Sequence, residues 1–577
     1  MSAARYGDYA KDVSGWFLGM TGAQLALVTL AGVPALLALN AQAWGLFVLW
    51  LPVWALLAAV LLVPVRGRSA GRWLVDLLLH AIGAVMGWTV FGSRAAPGTA
   101  ENLAEADLPG VLAGIRTHDG PPFGQLFTRP VIVQNCAART WAAVASITHP
   151  GIGLAEPDER NRMGAGLAEL CELAARTELV DVLALQVRTV PDDGTERAAW
   201  ERVHTRADAA PLATRINALL GATLTPAAVR TEAFLTVVVG EARMSRAARE
   251  SGGGVDGRAR VLHGVMAEVE AALRGAVGCT AVTWLDSAAL AAAVRTGFAP
   301  GERGQLTAAD LAAADGAQLA TGVPMAAAGP SQARAEVRHY VHDAWASVTD
   351  TILLPDSGAV LGALAPVLVP TTAGERRCLT VFLAPLPLDR ATRLVGREDM
   401  SATTGNELRA RMGFRQRARQ RRDTERIGAA DEKLAAGRAL VRPAVAACVT
   451  VPATWPVAEH GRRLDASIRA AGYVPLRLDL ATATLGTAVY EKPRPGTHGH
   501  DGTWSVPLPG SREAESLHRI VDTILPEAAC TSVRKVAQAS SDDASAGVAS
   551  EGPSRGAART ATAKIERCMG DPFMRSG

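Results

Sequence analysis

Residues 13–65 carry no charged side chain, a run of 53 mostly apolar positions. One membrane-crossing helix needs roughly 20 residues at a 1.5 Å rise per residue. The run therefore predicts two helices, at 17–39 and 44–63, with Asn40-Ala41-Gln42 as the polar break between them. Pro34 and Pro52 fall inside the spans, where proline is tolerated more readily than in soluble helices. Trp16, Trp44 and Trp73 fall at the predicted interfaces, where indoles prefer to lie. Lys11 precedes the run, Arg66, Arg68 and Arg72 follow it, and the connecting turn is uncharged. The positive-inside rule then places both ends in the cytoplasm. A secretory signal peptide fits poorly, because a second apolar run follows the first at once.

Residues 73–91 are also apolar, but Arg72, Asp76 and His80 step by four along one face. That narrow polar stripe predicts a helix lying in the membrane interface. A third span would place Asp76 in lipid.

After Phe91 the pattern changes to Val/Leu/Thr-rich runs alternating with Ala/Arg/Glu-rich ones, which predicts strands and helices in turn. Strands are expected at 129–136, 140–147, 180–190, 233–239 and 279–285, and helices at 157–178, 198–220 and 257–275. An Ala-rich stretch covers 286–330. Beyond it, strands are expected at 361–369 and 378–384 and a long helix over 398–438. A βαβ-like unit follows, built from 445–451, 457–471 and 474–480. No short-period repeat is visible. The expected class is α/β, with five parts. These are a membrane hairpin with an interfacial helix (1–95), a cytoplasmic α/β domain (100–300), an Ala-rich linker (301–332), a second cytoplasmic α/β domain (333–530) and a disordered Ser/Ala/Gly-rich tail (531–577).

Composition narrows the chemistry. The 577 residues have a net charge of only +3, which argues against a wholly basic nucleic-acid binder. Of 59 basic residues, only Lys11, Lys433, Lys492, Lys535 and Lys564 are lysines, and none follows a glycine. A Walker A loop needs Gly-Lys before Ser or Thr, so this sequence holds no P-loop. Seven well-separated cysteines without a Cys-x-x-Cys predict reduced, mostly buried thiols.

Formal motif matches are weak. Gly252–Gly257 fits G-x-G-x-x-G, but the strand before it ends near Gly240, too early for a dinucleotide-binding turn. Gly552–Gly556 fits G-x-S-x-G inside the expected tail. His339, His342 and Asp343, and His498-Gly499-His500-Asp501, lack a completing ligand cluster and read as ordinary histidines. The strongest polar feature is a stripe of Arg411, Arg415, Arg419, Arg422 and Arg426, spaced for one face of a helix, with Arg409, Arg417 and Arg421 beside it. Such a stripe suits phosphate, anionic lipid or an acidic partner, or is simply a solvated face.

The order of features carries a family resemblance. The two apolar runs followed by Gly67-Arg68-Ser69-Ala70-Gly71-Arg72-Trp73-Leu74-Val75-Asp76 resemble the PrgI-type small membrane subunit of type IV secretion and conjugation systems. Leu108–Ile115 and Val187-Arg188-Thr189-Val190-Pro191-Asp192-Asp193 look like actinobacterial membrane proteins encoded beside conjugation-type ATPases, themselves similar to the EccE component of type VII secretion. Glu407–Phe414, the arginine stripe, Leu434-Ala435-Ala436-Gly437, Val449-Thr450-Val451 and Ala470-Ala471-Gly472 resemble the N-terminal, non-ATPase part of VirB-type traffic ATPases. The chain departs from that pattern at Ala481–Gly496, which has no glutamine, and keeps only Val506-Pro507-Leu508-Pro509 of the usual ending.

The resemblance implies a non-catalytic scaffold in the cell membrane, with most of the chain cytoplasmic. It would dock a P-loop traffic ATPase supplied in trans, beside other membrane subunits and the lipid bilayer. The resemblance implies no catalytic, cofactor-binding or metal-binding residues. The alternatives are a membrane-tethered nucleic-acid-binding protein using the arginine helix 409–426, and a membrane-tethered transferase using the 252–257 loop.

Overall fold

The computed structural model describes residues 5–6, 22–62, 64–65, 68–124, 127–151, 155–225, 228–314, 316, 322–355, 359–411 and 418–479. Trp16, Arg66 and Arg415 lie outside the described residues. So do the tail 531–577, 480–530 of the second expected domain, and the motifs at 481–496, 498–501, 506–509 and 552–556.

Strand β1 (Arg5–Tyr6) precedes the apolar region. Helices α1 (Gly22–Asn40) and α2 (Trp44–Leu62) follow, separated at Ala41–Ala43 as the polar break predicts. The Trp50 and Trp54 indoles of α2 donate to the carbonyls of Ala31 and Val28 in α1, both at 3.0 Å. Residues 44–61 form one helix long and apolar enough to cross a membrane, and 26–40 form a shorter apolar helix. The short ribbon β2 (Pro64–Val65) and β3 (Arg68–Ser69) leads into α3 (Ala70–Val85). Asp76 of α3 is buried and His80 half-buried, while Leu74, Val75, Leu77 and Leu78 are exposed. The polar stripe thus faces protein and the apolar side faces outward.

The rest of the described chain is mixed α/β, built on one antiparallel sheet. Its first part comprises β4 (Val90–Gly92), β5 (Ile115–Asp119), β6 (Val131–Asn135), β7 (Thr140–Thr148), α4 (Pro157–Arg176), β8 (Val180–Pro191), α5 (Thr195–His204) and α6 (Pro211–Leu224). Then come β9 (Val229–Gly240), α7 (Glu241–Glu250), α8 (Gly254–Ala272), β10 (Ala281–Trp284), α9 (Ser287–Phe298) and α10 (Arg303–Ala314). The second part comprises β11 (Gln332–Ala335), β12 (Tyr340–His342), β13 (Trp345–Leu353), β14 (Ala359–Val360), β15 (Arg376–Pro385), α11 (Leu388–Arg411), α12 (Ala418–Ala435), β16 (Val441–Pro452), α13 (Val457–Ala470) and β17 (Val474–Arg477).

The sheet order is β4-β11-β12-β13-β16-β15-β8-β9-β7-β6-β5, with β10 also on β7 and β17 also on β13; β14 pairs with β1. This order contains a repeat. In the first half, β7 is flanked by β6 and β10 on one edge and by β9 on the other, and β8 lies beyond β9. In the second half, β13 is flanked by β12 and β17 on one edge and by β16 on the other, and β15 lies beyond β16. The two copies meet through the antiparallel pair β8–β15, from Arg377↔Thr189 to Leu383↔Leu183. That is the arrangement a two-fold axis perpendicular to the sheet would generate.

In both copies a helical hairpin separates the last two strands of the order, α5–α6 in one and α11–α12 in the other. Because β8 and β15 run antiparallel, the two hairpins leave from opposite ends of the sheet. One sheet therefore runs through both 100–300 and 333–479, across the expected linker.

Apolar side chains alternate between the sheet's faces, as strand geometry requires. On one face, Ile132, Trp141, Leu183, Leu235 and Val237 pack under α4 and α8, and Val348, Leu379 and Val449 pack under α13. On the other face, Val133, Val144, Phe234 and Phe382 pack under α9.

Several expected elements are corrected. The helix expected at 198–220 is two helices, because Pro211 starts a new one and lacks the amide to continue the old. The Ala-rich stretch 286–330 contains α9 and α10, and the Asp286 carboxylate caps α9 by accepting from the Ala289 amide at 2.8 Å. Residues 361–369 hold a short 3-10 turn at Ala365–Leu368 instead of a strand. The expected helix 398–438 is α11 and α12. Residues 73–91 are the end of α3, a turn and the start of β4.

Candidate functional site

Helices α11 and α12 fill the connection between the neighbouring strands β15 and β16. Ala391 and Val395 near the start of α11 pack with Leu434, Ala430 and Ile427 near the end of α12, so the helices run antiparallel. The base is tied to the sheet by the Leu386 amide on the Leu440 carbonyl at 2.9 Å, and to α4 by Arg438 on Glu172 at 2.8 Å. At 1.5 Å per residue, the 24 residues of α11 extend about 36 Å. Its core lies at the base, so the far end projects as an arm.

That far end holds the basic residues. Between 407 and 422 the sequence has seven arginines and one acid, Glu407. Arg411 is the last residue of α11, and Arg419, Arg422 and Arg426 lie on α12, with Arg421 exposed and Arg426 half-buried. The predicted stripe thus belongs to two helices that meet at the arm's end, and Arg411 does not share a helix with the other three. The expected membrane-interface residues are placed as follows. Trp44 is exposed at the start of α2, Arg68 is in β3, and Arg72 and Trp73 are in the first turn of α3.

The remaining buried polar groups form structural networks. Arg188 pairs with Glu232 at 2.7 Å and donates to the Ala293 carbonyl and the Thr296 hydroxyl of α9, each at 2.9 Å. Arg303 pairs with Glu232, Asp193 and Glu196 at 3.1–3.2 Å. Burial works against the Glu232 charge, but Arg188 and Arg303 outweigh it and hold its pKa below the usual range. Arg376 donates to the Thr296 carbonyl and the Thr450 hydroxyl. Thr450, Ser347 and His342 then form a chain of hydrogen bonds at 2.8 and 2.7 Å, ending where His342 Nδ1 meets the Phe298 carbonyl at 2.7 Å.

Ser347 and His342 have the contact of a nucleophile and its base. Burial, reinforced by the Arg376 charge, pushes His342 down to about 3, which removes its use as a base near neutral pH. Both residues are buried, and neither lines the cavity of about 320 Å³ at Ser93–Ser331 or the smaller one at Pro191–Glu375. This chain is read as a fold element. His339 contacts Glu336 and Asp343 contacts Arg295, so the trio expected at helical spacing is instead part of a β-hairpin. Among the described residues no three acidic, histidine or cysteine side chains are grouped to hold a metal ion. The five described cysteines are free, and four are buried; burial pushes Cys171 up to about 12 and Cys378 to about 11.

The glycine run 252–257 is the tight connection between α7 and α8. Gly252, Gly253 and Gly254 all have positive φ, and a Cβ on Gly257 would stand 2.3 Å from the Ala248 carbonyl oxygen. These glycines are explained by the turn and the helix approach.

On the α13 face a second cluster joins Asp350 of β13, Asp465 of α13, Asp479 after β17, and Arg477. Arg477 meets Asp350 at 2.8 Å and Asp465 at 2.6 Å. Burial raises the Asp350 pKa to about 8; Arg477 lowers it, and Asp465 and Asp479 raise it further. A carboxyl raised on folding binds its proton longer in the folded state. Its stabilising contribution is complete below the unfolded value of about 4 and is lost as pH rises towards 8. Between pH 6 and 8 the full-length protein is expected to lose about 1 kcal/mol of stability per pH unit from this group. Asp350→Asn is expected to flatten that slope in thermal denaturation of the detergent-solubilised chain. An unchanged slope in the variant would assign it elsewhere.

Comparison of the chain with protein-family models gives no match, and comparison with curated proteins gives none either.

Proposed function

We propose that the protein is a membrane-anchored, non-catalytic scaffold of a conjugation- or secretion-type apparatus, and that it docks a P-loop traffic ATPase through the α11–α12 arm. The observation that carries this reading is the arm itself. It is a helical projection with a basic end, at the end of the sheet opposite to α5–α6. Its length and charge suit contact with a separate, acidic protein surface more than they suit packing within the chain.

A membrane hairpin is supported by the pairing of β1 with β14, Arg5↔Val360 and Tyr6↔Ala359. This pairing keeps the segment before the apolar run beside the sheet that follows it. A single crossing would separate them; two crossings, by α1 and α2, would not. The outward apolar side of α3 suits a helix in the interface, as the sequence suggests. Multi-pass anchoring with a cytoplasmic body is therefore part of the proposal.

A second reading, nucleic-acid binding by the same arm, is favoured by the run of seven arginines. It predicts affinity for DNA that falls steeply with salt.

The test is capture of the full-length chain from native membranes in mild detergent, with identification of what remains bound. A P-loop ATPase in near-equal amount is the expected result. A chain that comes down alone at its natural abundance contradicts the reading.

A further inference from the structure

Helices α5 and α6 bury no side chain. Leu212, Ile216, Leu219 and Leu220 repeat along one side of α6 at helical spacing and are all exposed, as are Trp200 and Val203 on α5. The equivalent hairpin in the other repeat, α11–α12, buries its apolar residues in its own small core. The α5–α6 hairpin does not, so an apolar surface of six large side chains is left on one element.

Its place in the fold says what covers it. Arg303 fixes the start of α5 through Glu196 and through Asp193 just before it. The neighbouring residue, Glu302, lines one cavity with Ser93. Ser93 directly follows β4, the strand through which the chain arrives from the apolar helices α2 and α3. The apolar hairpin therefore shares its side of the body with the membrane-proximal strand, and the basic arm leaves from the opposite end. Arg202 and Arg215 border the apolar stripe, and Trp200 supplies the amphipathic ring that favours a membrane–water boundary.

We infer that the α5–α6 hairpin lies on the lipid surface, as a second membrane contact that fixes the orientation of the sheet. This rests on the membrane anchoring proposed above. An apolar hairpin seated in the interface would hold the basic arm away from the bilayer and towards the cytoplasm.

The experiment places a photoreactive benzoylphenylalanine at Ile216, and separately at Val48 of α2, in the full-length protein in its own membrane. Both sites are exposed side chains, so the probe replaces no packed group. The expected result is covalent lipid adducts at both positions. Lipid adducts at Val48 with none at Ile216, or adducts at Ile216 to a second copy or another protein, would overturn the inference and leave the membrane anchor standing. No lipid adduct at Val48 would overturn the anchor and the inference with it.

Discussion

Replacing Arg419, Arg421 and Arg422 by glutamate is expected to weaken the protein's hold on its ATPase by roughly a hundredfold. Three reversals at an exposed contact, at about 1 kcal/mol each, give about 3 kcal/mol. The change falls on α12 beyond the small core of Ala391, Val395 and Leu434 that ties the arm to the sheet. The sheet should keep its melting transition, and the variant should stay in the membrane. The measurement is titration of the full-length protein, in lipid nanodiscs, with the captured ATPase. Wild-type affinity should fall as salt rises, because exposed charges are screened beyond a Debye length of about 8 Å at 0.15 M. Equal affinity in variant and wild type would remove the arm from the interface.

The second large effect is on stability. Glu375 and Arg377 are fully buried and face each other, with Arg377 Nε donating to Glu375 Oε1 at 2.5 Å. Burial opposes ionisation of Glu375. The hydrogen bonds from Thr371 and the Arg377 charge outweigh it and hold the carboxyl below its usual pKa. Arg377 also donates to the Val367 carbonyl and the Ser467 hydroxyl of α13, and its own amide and carbonyl meet the Thr189 hydroxyl of β8. The pair therefore sits where the two repeats join. Arg377→Met leaves a buried carboxylate without its cation, a loss of about 3–5 kcal/mol. Adding Glu375→Gln should return part of that loss, because the orphaned charge is then gone. Denaturant midpoints of the solubilised proteins decide it. A single variant as stable as wild type would show that the pair contributes little.

How much of this was legible in the sequence depended on whether the signal was local. The strands at 180–191 and 441–452 were readable from their Val-rich runs, and α4 from Pro157 followed by Asp158 and Glu159. The breaks at Pro211 and near Gly413 carried ordinary stop signals, but continuous charge and alanine patterns masked them. Asp286 before Ser287 was a readable cap inside a stretch that alanine made look featureless. The repeat was not legible. Its unit is defined by strand order, its helical insertions differ in length, and the pairing partners lie far apart in sequence. The burial of Arg188, Arg376 and Arg377 was hidden for the same reason, since their partners come from other strands and from α9 and α13. For the arm, the arginine spacing was visible, but its division between two antiparallel helices was not.

The central claim is that the basic arm joins a membrane-anchored sheet to a separate motor. The most direct measurement is capture from native membranes of the wild-type chain and of a chain lacking residues 388–435, side by side. The account predicts a P-loop ATPase with the first and none with the second, while both chains remain in the membrane fraction. An ATPase retained by the armless chain would contradict it.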